Sequence, residues 1–221
     1  MSTQQTSKVA VDAPILVDLE KKNPQLRILT VSSENFRELS ALYIKSNTST
    51  PLAIVRPRTE EEVRKTIAFT SLRSIPLAVR VGGHDFLRRS GPDKAVVLDL
   101  RDLNAVTVTD DGEAAIIGGG ILAQDLVDNL AKTGHATTVG FAPSVGWAGW
   151  AMHGGYGPFA GLFGLGADQI LGARIINHEG QVVEADEKLL YGIRGAGSAF
   201  GVVVSLKIKI HKLEKVWSLS P

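Results

Sequence analysis

Gly140-Phe141-Ala142-Pro143-Ser144-Val145-Gly146, then Gly149, then His153-Gly154-Gly155-Tyr156-Gly157, is the stretch on which the reading of this chain turns. So many glycines inside a strand or helix would carry a heavy entropic cost. A solvated linker is the ordinary alternative. Val145, Trp147, Trp150, Met152 and Phe159 are too apolar for one. Backbone pressed against a buried ligand accounts for both features.

The same signal extends outward. Most of the 23 glycines lie between Gly112 and Gly201, interleaved with strands and charges. Upstream, Leu52–Val55 reads as a short strand closed by Arg56 and Pro57. Thr59 and Glu62 have capping-box spacing for a helix with Val63, Ile67 and Phe69 on its apolar side, ended by Ser74 and Pro76. Leu77–Val81 and Ala95–Leu100 read as two further strands. A second lobe starts near Leu103: Val106 and Val108 alternate with polar residues, and Asp110-Asp111-Gly112 turns the chain into Ala114–Ile117. A helix follows from about Leu122 to Lys132, stopped by Gly134.

Beyond the glycine stretch, Ile170–Ile176 and Gln181–Val183 flank a turn at Asn177–Gly180. The last strand sets Val202, Val204, Leu206, Ile208 and Ile210 on one face. The start of the chain reads as poorly ordered apart from a short helix around Glu34–Tyr43.

Arg80-Val81-Gly82-Gly83-His84-Asp85 stands where a strand meets a loop. Two adjacent glycines let successive N–H groups share one concavity, a geometry suited to diphosphate. Taken alone, the motif reads first as a glycine turn followed by a surface histidine. Gly118-Gly119-Gly120-Ile121-Leu122-Ala123 matches the dinucleotide fingerprint in its alanine-ended form. That fingerprint needs a parallel strand ending in an acidic residue about 20 residues on. The Pro143 loop stands there instead, so a nicotinamide-binding Rossmann domain is rejected.

Composition narrows the function. With 24 basic and 23 acidic residues the net charge is +1, which argues against a nucleic-acid partner. There is no cysteine, hence no disulfide, thiolate metal site or cysteine nucleophile. His135, His153, His178 and His211 lack ligand spacing with carboxylates, and no serine lies in a nucleophile-elbow pattern. Met1–Lys22 lacks the pattern of a secretory signal, and no apolar run is long enough to cross a bilayer. The expectation is a soluble, cytoplasmic protein with no membrane partner.

Four motifs recur in order: Arg80–Asp85, Gly140–Gly157, Gly164-Leu165-Gly166-Ala167-Asp168, and Ile193-Arg194-Gly195-Ala196-Gly197 through Phe200-Gly201-Val202-Val203. Together they resemble the FAD-binding (PCMH-type) domain of the vanillyl-alcohol oxidase superfamily, in its berberine bridge enzyme-like and glucooligosaccharide oxidase-like fungal branch. The resemblance covers roughly residues 47–213, in lobes of about 47–101 and 102–213, after an extension of 1–46 and before a tail of 214–221. It implies an α+β fold of two lobes with FAD in the cleft between them.

The resemblance further implies a site built from Arg80, Val81, Gly82, Gly83, His84, Asp85 and Phe86. Pro143, Ser144, Val145, Gly146, Gly149, His153, Gly154, Gly155 and Gly157 would line the pyrophosphate and isoalloxazine, with Gly201, Val202 and Val203 supporting the cofactor. His84 takes the position that bonds the flavin 8α-methyl. Ala142 stands where bicovalent members carry cysteine, so only the histidyl link is expected. His153 takes a place that is glycine in many members, and Ala160-Gly161 replaces the usual polar pair after Pro158. Full-size relatives continue into a substrate domain that supplies the catalytic base, so no base is assigned here. A homodimer or a partner protein is expected to cover the flavin face.

The implied function is hydride abstraction from a small-molecule alcohol, amine or secondary-metabolite intermediate, with reoxidation by O2, in fungal secondary metabolism. A flavin-bound isomerase or cyclase ranks second, and a shortened non-catalytic flavin-binding paralogue third.

Overall fold

The computed structural model describes residues 7–44 and 49–213. The expected tail of 214–221 and the first six residues of the expected extension lie outside them. Helix and sheet are mixed, and the chain divides into two compact units. One runs through Leu103 and includes Ile176–Val183; the other is Asn104–Ile175 with Glu184 onward.

The first unit begins with α1 (Lys8–Asp12), α2 (Val17–Lys22), β1 (Arg27–Leu29) and α3 (Phe36–Ser40). From residue 7 the described chain thus forms regular elements where the sequence suggested little order. Asp12 accepts from Thr30 Oγ1 at 2.6 Å and from Ser32 N at 2.9 Å, and Val9, Leu16 and Leu19 are buried. Elements of three to six residues carry too little periodicity to announce themselves. The unit continues with β2 (Ala53–Arg56), α4 (Glu60–Leu72), β3 (Leu77–Arg80) and β4 (Val96–Asp99).

These strands make a four-stranded sheet in the order β1-β2-β4-β3, with β2 and β3 both parallel to β4 and β1 antiparallel to β2. Ala53, Ile54 and Val55, like Val96, Val97 and Leu98, are buried without alternation, as strands covered on both faces must be. Leu29, Phe36, Ile54 and Val97 pack together with Leu39 against them. Thr59 Oγ1 caps α4 by accepting from Glu62 N at 3.2 Å. The buried side of α4 is Val63, Thr66, Ile67 and Thr70. Phe69 is instead half-buried, with the Arg73 guanidinium 3.9 Å over its ring. Thr66 and Thr70 can be buried because their hydroxyls donate to carbonyls one turn back.

From Asn104 onward come β5 (Val106–Val108), β6 (Ala114–Gly118), α5 (Ala123–Ala131), β7 (His135–Ala136), α6 (Trp147–Ala151), α7 (Ala160–Phe163), β8 (Ile170–Ile176), β9 (Val182–Glu184), α8 (Glu187–Ala196), β10 (Val202–Lys209) and β11 (His211–Lys212), of which the end of β8 and the first two residues of β9 fall in the segment grouped with the first unit. The strands form a sheet in the order β5-β6-β10-β8-β9, and β7 pairs with β11. β10 runs antiparallel to β6, and its alternate side chains Val202, Val204, Leu206 and Ile208 are buried. α8 has no counterpart in the sequence reading. Gly192 and Gly195 obscured its periodicity, although the Asp186 side chain caps it by accepting from Leu189 N at 2.8 Å. A short helix, α6, lies within the glycine stretch and another, α7, just after it, where none was expected.

Candidate functional site

The parallel strands of the first unit all end in charged residues at one edge. Arg80 closes β3 and Asp99 closes β4, as register partners. Arg80 Nη2 donates to Asp99 Oδ2 at 2.7 Å and to Leu39 O. Arg101 forks onto the same carboxylate, with Nη2–Oδ2 at 2.6 Å and Nε–Oδ1 at 2.9 Å. Arg56, which closes β2, pairs with Asp102.

Side-chain exposure is 2% at Arg80 and 0% at Asp99, so this is a buried ion pair. Burial alone would raise the Asp99 carboxyl, but the Arg101 hydrogen bond and the Arg80 charge outweigh it and hold it below the usual carboxylate range. Three guanidinium groups against two carboxylates leave one surplus positive charge. Arg80 Nε and Nη1 and Arg56 Nε are buried without a hydrogen-bond acceptor.

The loop beyond β3 lies over this cluster. Gly83 has φ 68°, in the left-handed region, and a Cβ there would sit 3.6 Å from Arg80 Cδ and 3.3 Å from Leu42 Cδ2. His84 is half-buried and stacks on Tyr43, with ring centroids 4.2 Å apart and planes inclined by 22°. Burial lowers its pKa from the usual imidazole value. Asp85 accepts from Arg89 N at 2.6 Å, and its hydrogen bonds to the Arg89 side chain hold its carboxyl below the usual range. Val81 and Gly82 are half-buried, while Phe86 is exposed. All seven residues expected at this loop therefore share one edge of one sheet.

In the second unit, main-chain hydrogen bonds fix the Pro143 loop. Ala123 N donates to Val145 O at 2.9 Å, Gln124 N to Pro143 O at 3.1 Å, and Trp147 N to Ile121 O at 3.0 Å. The first two amides of α5, at Ala123 and Gln124, are thereby occupied by loop carbonyls rather than left for a phosphate. The preceding strand β6 is antiparallel to both neighbours, β5 and β10. The fingerprint-like Gly118–Ala123 is therefore a packing feature. A Cβ on Gly119 would lie 2.0 Å from Val203 O.

The glycines that follow divide into two kinds. Gly140, Gly155 and Gly166 surround the Trp150 indole, where an added Cβ would come within 3.1, 3.0 and 2.5 Å of ring atoms. A Cβ on Gly157 would lie 1.7 Å from Val139 O. For Gly140, Gly155 and Gly157, the chain's own packing supplies the reason for glycine that the sequence assigned to a ligand.

Gly149 and Gly154 differ, because nothing lies within 4 Å of either added Cβ. Gly154 has φ 101°, which is reason enough for glycine. Gly149 sits inside α6 at ordinary φ with no neighbour to exclude a methyl group. Pro143 and Ser144 are exposed nearby in sequence, Val145 is half-buried, and Gly146 is buried.

His153 is exposed. Its Nδ1 lies 2.8 Å from Gly149 O, and a carbonyl can only accept, so Nδ1 carries the proton. A Cβ on Gly197 would lie 2.6 Å from its Cε1, so these two motifs meet within the unit. Gly201 has φ 146°, and Val202 and Val203 are buried in β10. A depression of about 110 Å³ beside α5, lined by Val127, Val139, Phe141 and Pro143, is too small for a dinucleotide.

In the first unit, a surplus buried charge beside the Gly82–Gly83 loop and a half-buried imidazole at the loop end suit an anionic cofactor. In the second unit, taken by itself, Gly149 and Gly154 border open space. Among the described residues, no group of three or more His, Cys, Asp or Glu could hold a metal ion. No helix among them is long and apolar enough to cross a membrane. Two contributors were not legible in advance. Asp99 could have been found, as an acid ending the apolar run Val96-Val97-Leu98. Tyr43 left no signal.

Comparison with known proteins gives a consistent result. A model of the FAD binding domain matches residues 51–186. The FAD-linked oxidoreductase aurO of Gibberella zeae is 37% identical over 203 residues, covering 91% of this chain and 40% of that protein. The (R)-6-hydroxynicotine oxidase of Paenarthrobacter nicotinovorans is 31% identical over 195 residues, covering 86% and 43%. The crystal structure of 6-hydroxy-D-nicotine oxidase from Arthrobacter nicotinovorans superposes with a TM-score of 0.81 at 31% identity, covering 85% of this chain and 42% of that one. The chain thus spans about two fifths of the length of these relatives.

Proposed function

Since the chain belongs to the FAD binding domain family, we propose that it holds FAD for the oxidation of a small-molecule alcohol, amine or secondary-metabolite intermediate, in a fungal-type biosynthetic pathway. When bound, FAD supplies two-electron oxidation, with O2 as the final acceptor. FAD-linked oxidoreductases and oxidases among the relatives support this reading, and two of the fungal ones come from Gibberella zeae and Emericella nidulans.

The observation that carries the proposal is His84 at the end of the Gly82–Gly83 turn, over a buried cluster with one surplus positive charge. The turn offers its amides to the diphosphate. The surplus charge favours an anion there through its field, because Arg80 itself is too buried for contact. His84 is the proposed anchor. Burial keeps its imidazole neutral near pH 7, so a ring nitrogen is available for the bond to the flavin 8α-methyl. In the second unit, Gly149 and Gly154 leave room for a flat ring, and His153 is held by its Nδ1–H to Gly149 O.

The test is an absorbance spectrum after acid precipitation of protein expressed with riboflavin. Yellow colour retained in the pellet, and lost in His84→Ala, supports the anchor. A colourless wild-type pellet refutes it. Stoichiometric O2 uptake with peroxide release, in the presence of substrate, separates the oxidase from a non-redox flavoprotein.

A further inference from the structure

The end of α3 and the segment after it lie outside the matched domain of 51–186, yet they bind the loop that carries His84 and the strand before it. Leu39 O accepts from the buried Arg80. The Leu42 side chain fills the space beside two glycines: a Cβ on Gly83 or Gly91 would come within 3.3 or 3.1 Å of its methyl carbons. Tyr43 N donates to Gly83 O at 3.1 Å. The Tyr43 ring then lies on the imidazole of His84, 4.2 Å between centroids.

The placement of Tyr43 is unusual for an aromatic residue. It is 64% exposed, so its ring adds little to the core. Its described ring contact is His84. The backbone hydrogen bond fixes the tyrosine relative to the carbonyl that immediately precedes the histidine. The pair is therefore registered to within one residue at both ends.

We propose that Tyr43 is a positioning residue for His84: by stacking on one face of the imidazole, it sets the plane in which the ring nitrogens are presented to the flavin. The proposal rests on the reading of His84 as the flavin anchor. A ring lying on one face of the imidazole narrows its rotation about χ2, and so narrows the directions in which its nitrogens are presented for attachment.

Two measurements on the 221-residue chain test this. In apo protein labelled at histidine, the ring-proton signals of His84, assigned by their loss in His84→Ala, are expected upfield in wild type and in Tyr43→Phe. They should return to ordinary positions in Tyr43→Ala and Tyr43→Leu. After FAD is added to apo protein, acid-stable flavin should form about tenfold more slowly in Tyr43→Ala and Tyr43→Leu, with Tyr43→Phe restoring the wild-type rate. Rescue by phenylalanine but not leucine separates ring stacking from bulk.

If wild type forms acid-stable flavin and Tyr43→Ala does so at the same rate, with unchanged His84 signals, this inference is overturned and the anchor stands. If wild type binds FAD and never forms acid-stable flavin, both are overturned.

Discussion

Asp99→Asn keeps the shape of the buried carboxyl and removes its charge. In the native protein this carboxylate, 0% exposed, serves both Arg80 and Arg101. Without it, Arg56, Arg80 and Arg101 face Asp102 alone, and the surplus charge at the sheet edge rises from one to two. Breaking a buried pair from one side costs about 3–5 kcal/mol, because the remaining charge stays out of water. For a chain of this size that corresponds to a fall in Tm of roughly 6–20 °C.

The pH dependence has a definite sign. The folded-state pKa of Asp99 is depressed below its unfolded value, so its contribution is present above about pH 4 and is lost as pH falls through the folded value. Thermal unfolding followed by circular dichroism between pH 7 and pH 3 should show the loss in Asp99→Asn at neutral pH. The gap to wild type should narrow toward acid. A variant within about 2 °C of wild type at pH 7, with an unchanged acid limb, would refute the idea that this pair carries buried charge.

Glycine substitutions should sort by what an added Cβ meets. Gly119→Ala and Gly157→Ala place a methyl group 2.0 and 1.7 Å from carbonyl oxygens, so each should destabilise by about 1–3 kcal/mol or more, read by urea denaturation. Gly149→Ala meets nothing and sits in a helix, so the apo protein should gain about 0.5–1 kcal/mol while its affinity for FAD falls, read by fluorescence titration. His84 and His211 both have pKa values lowered by burial. Their share of stability is full above the ordinary histidine value near 6.5 and falls as pH drops below it, which a series of denaturation midpoints from pH 8 to pH 5 would show.

Much of the fold was legible because local chemistry and tertiary role coincide. The β10 alternation, the Thr59 cap and the hairpin through Gly112 each follow from residues a few positions apart. The glycines were harder to read. Gly140, Gly155 and Gly166 are scattered along the chain, yet they meet around one indole, and close packing on Trp150 leaves the same mark in sequence as packing on a ligand. α8 hid behind its two glycines, and α1, α2 and β1 are too short to show a period. At the candidate site, the loop from Arg80 to Phe86 was readable as a motif. Its support from Asp99, Leu42 and Tyr43 was not, because those contacts join residues tens of positions apart.

Three main-chain hydrogen bonds tie the Pro143 loop to the start of α5 and the residues before it: Ala123 N to Val145 O, Gln124 N to Pro143 O, and Trp147 N to Ile121 O. Those bonds do not depend on the side chain at position 142, which can be changed while they keep the backbone on its path. Laboratory evolution of new substrate preferences, or installation of a second thiol tether at position 142, has a rigid platform on which to start.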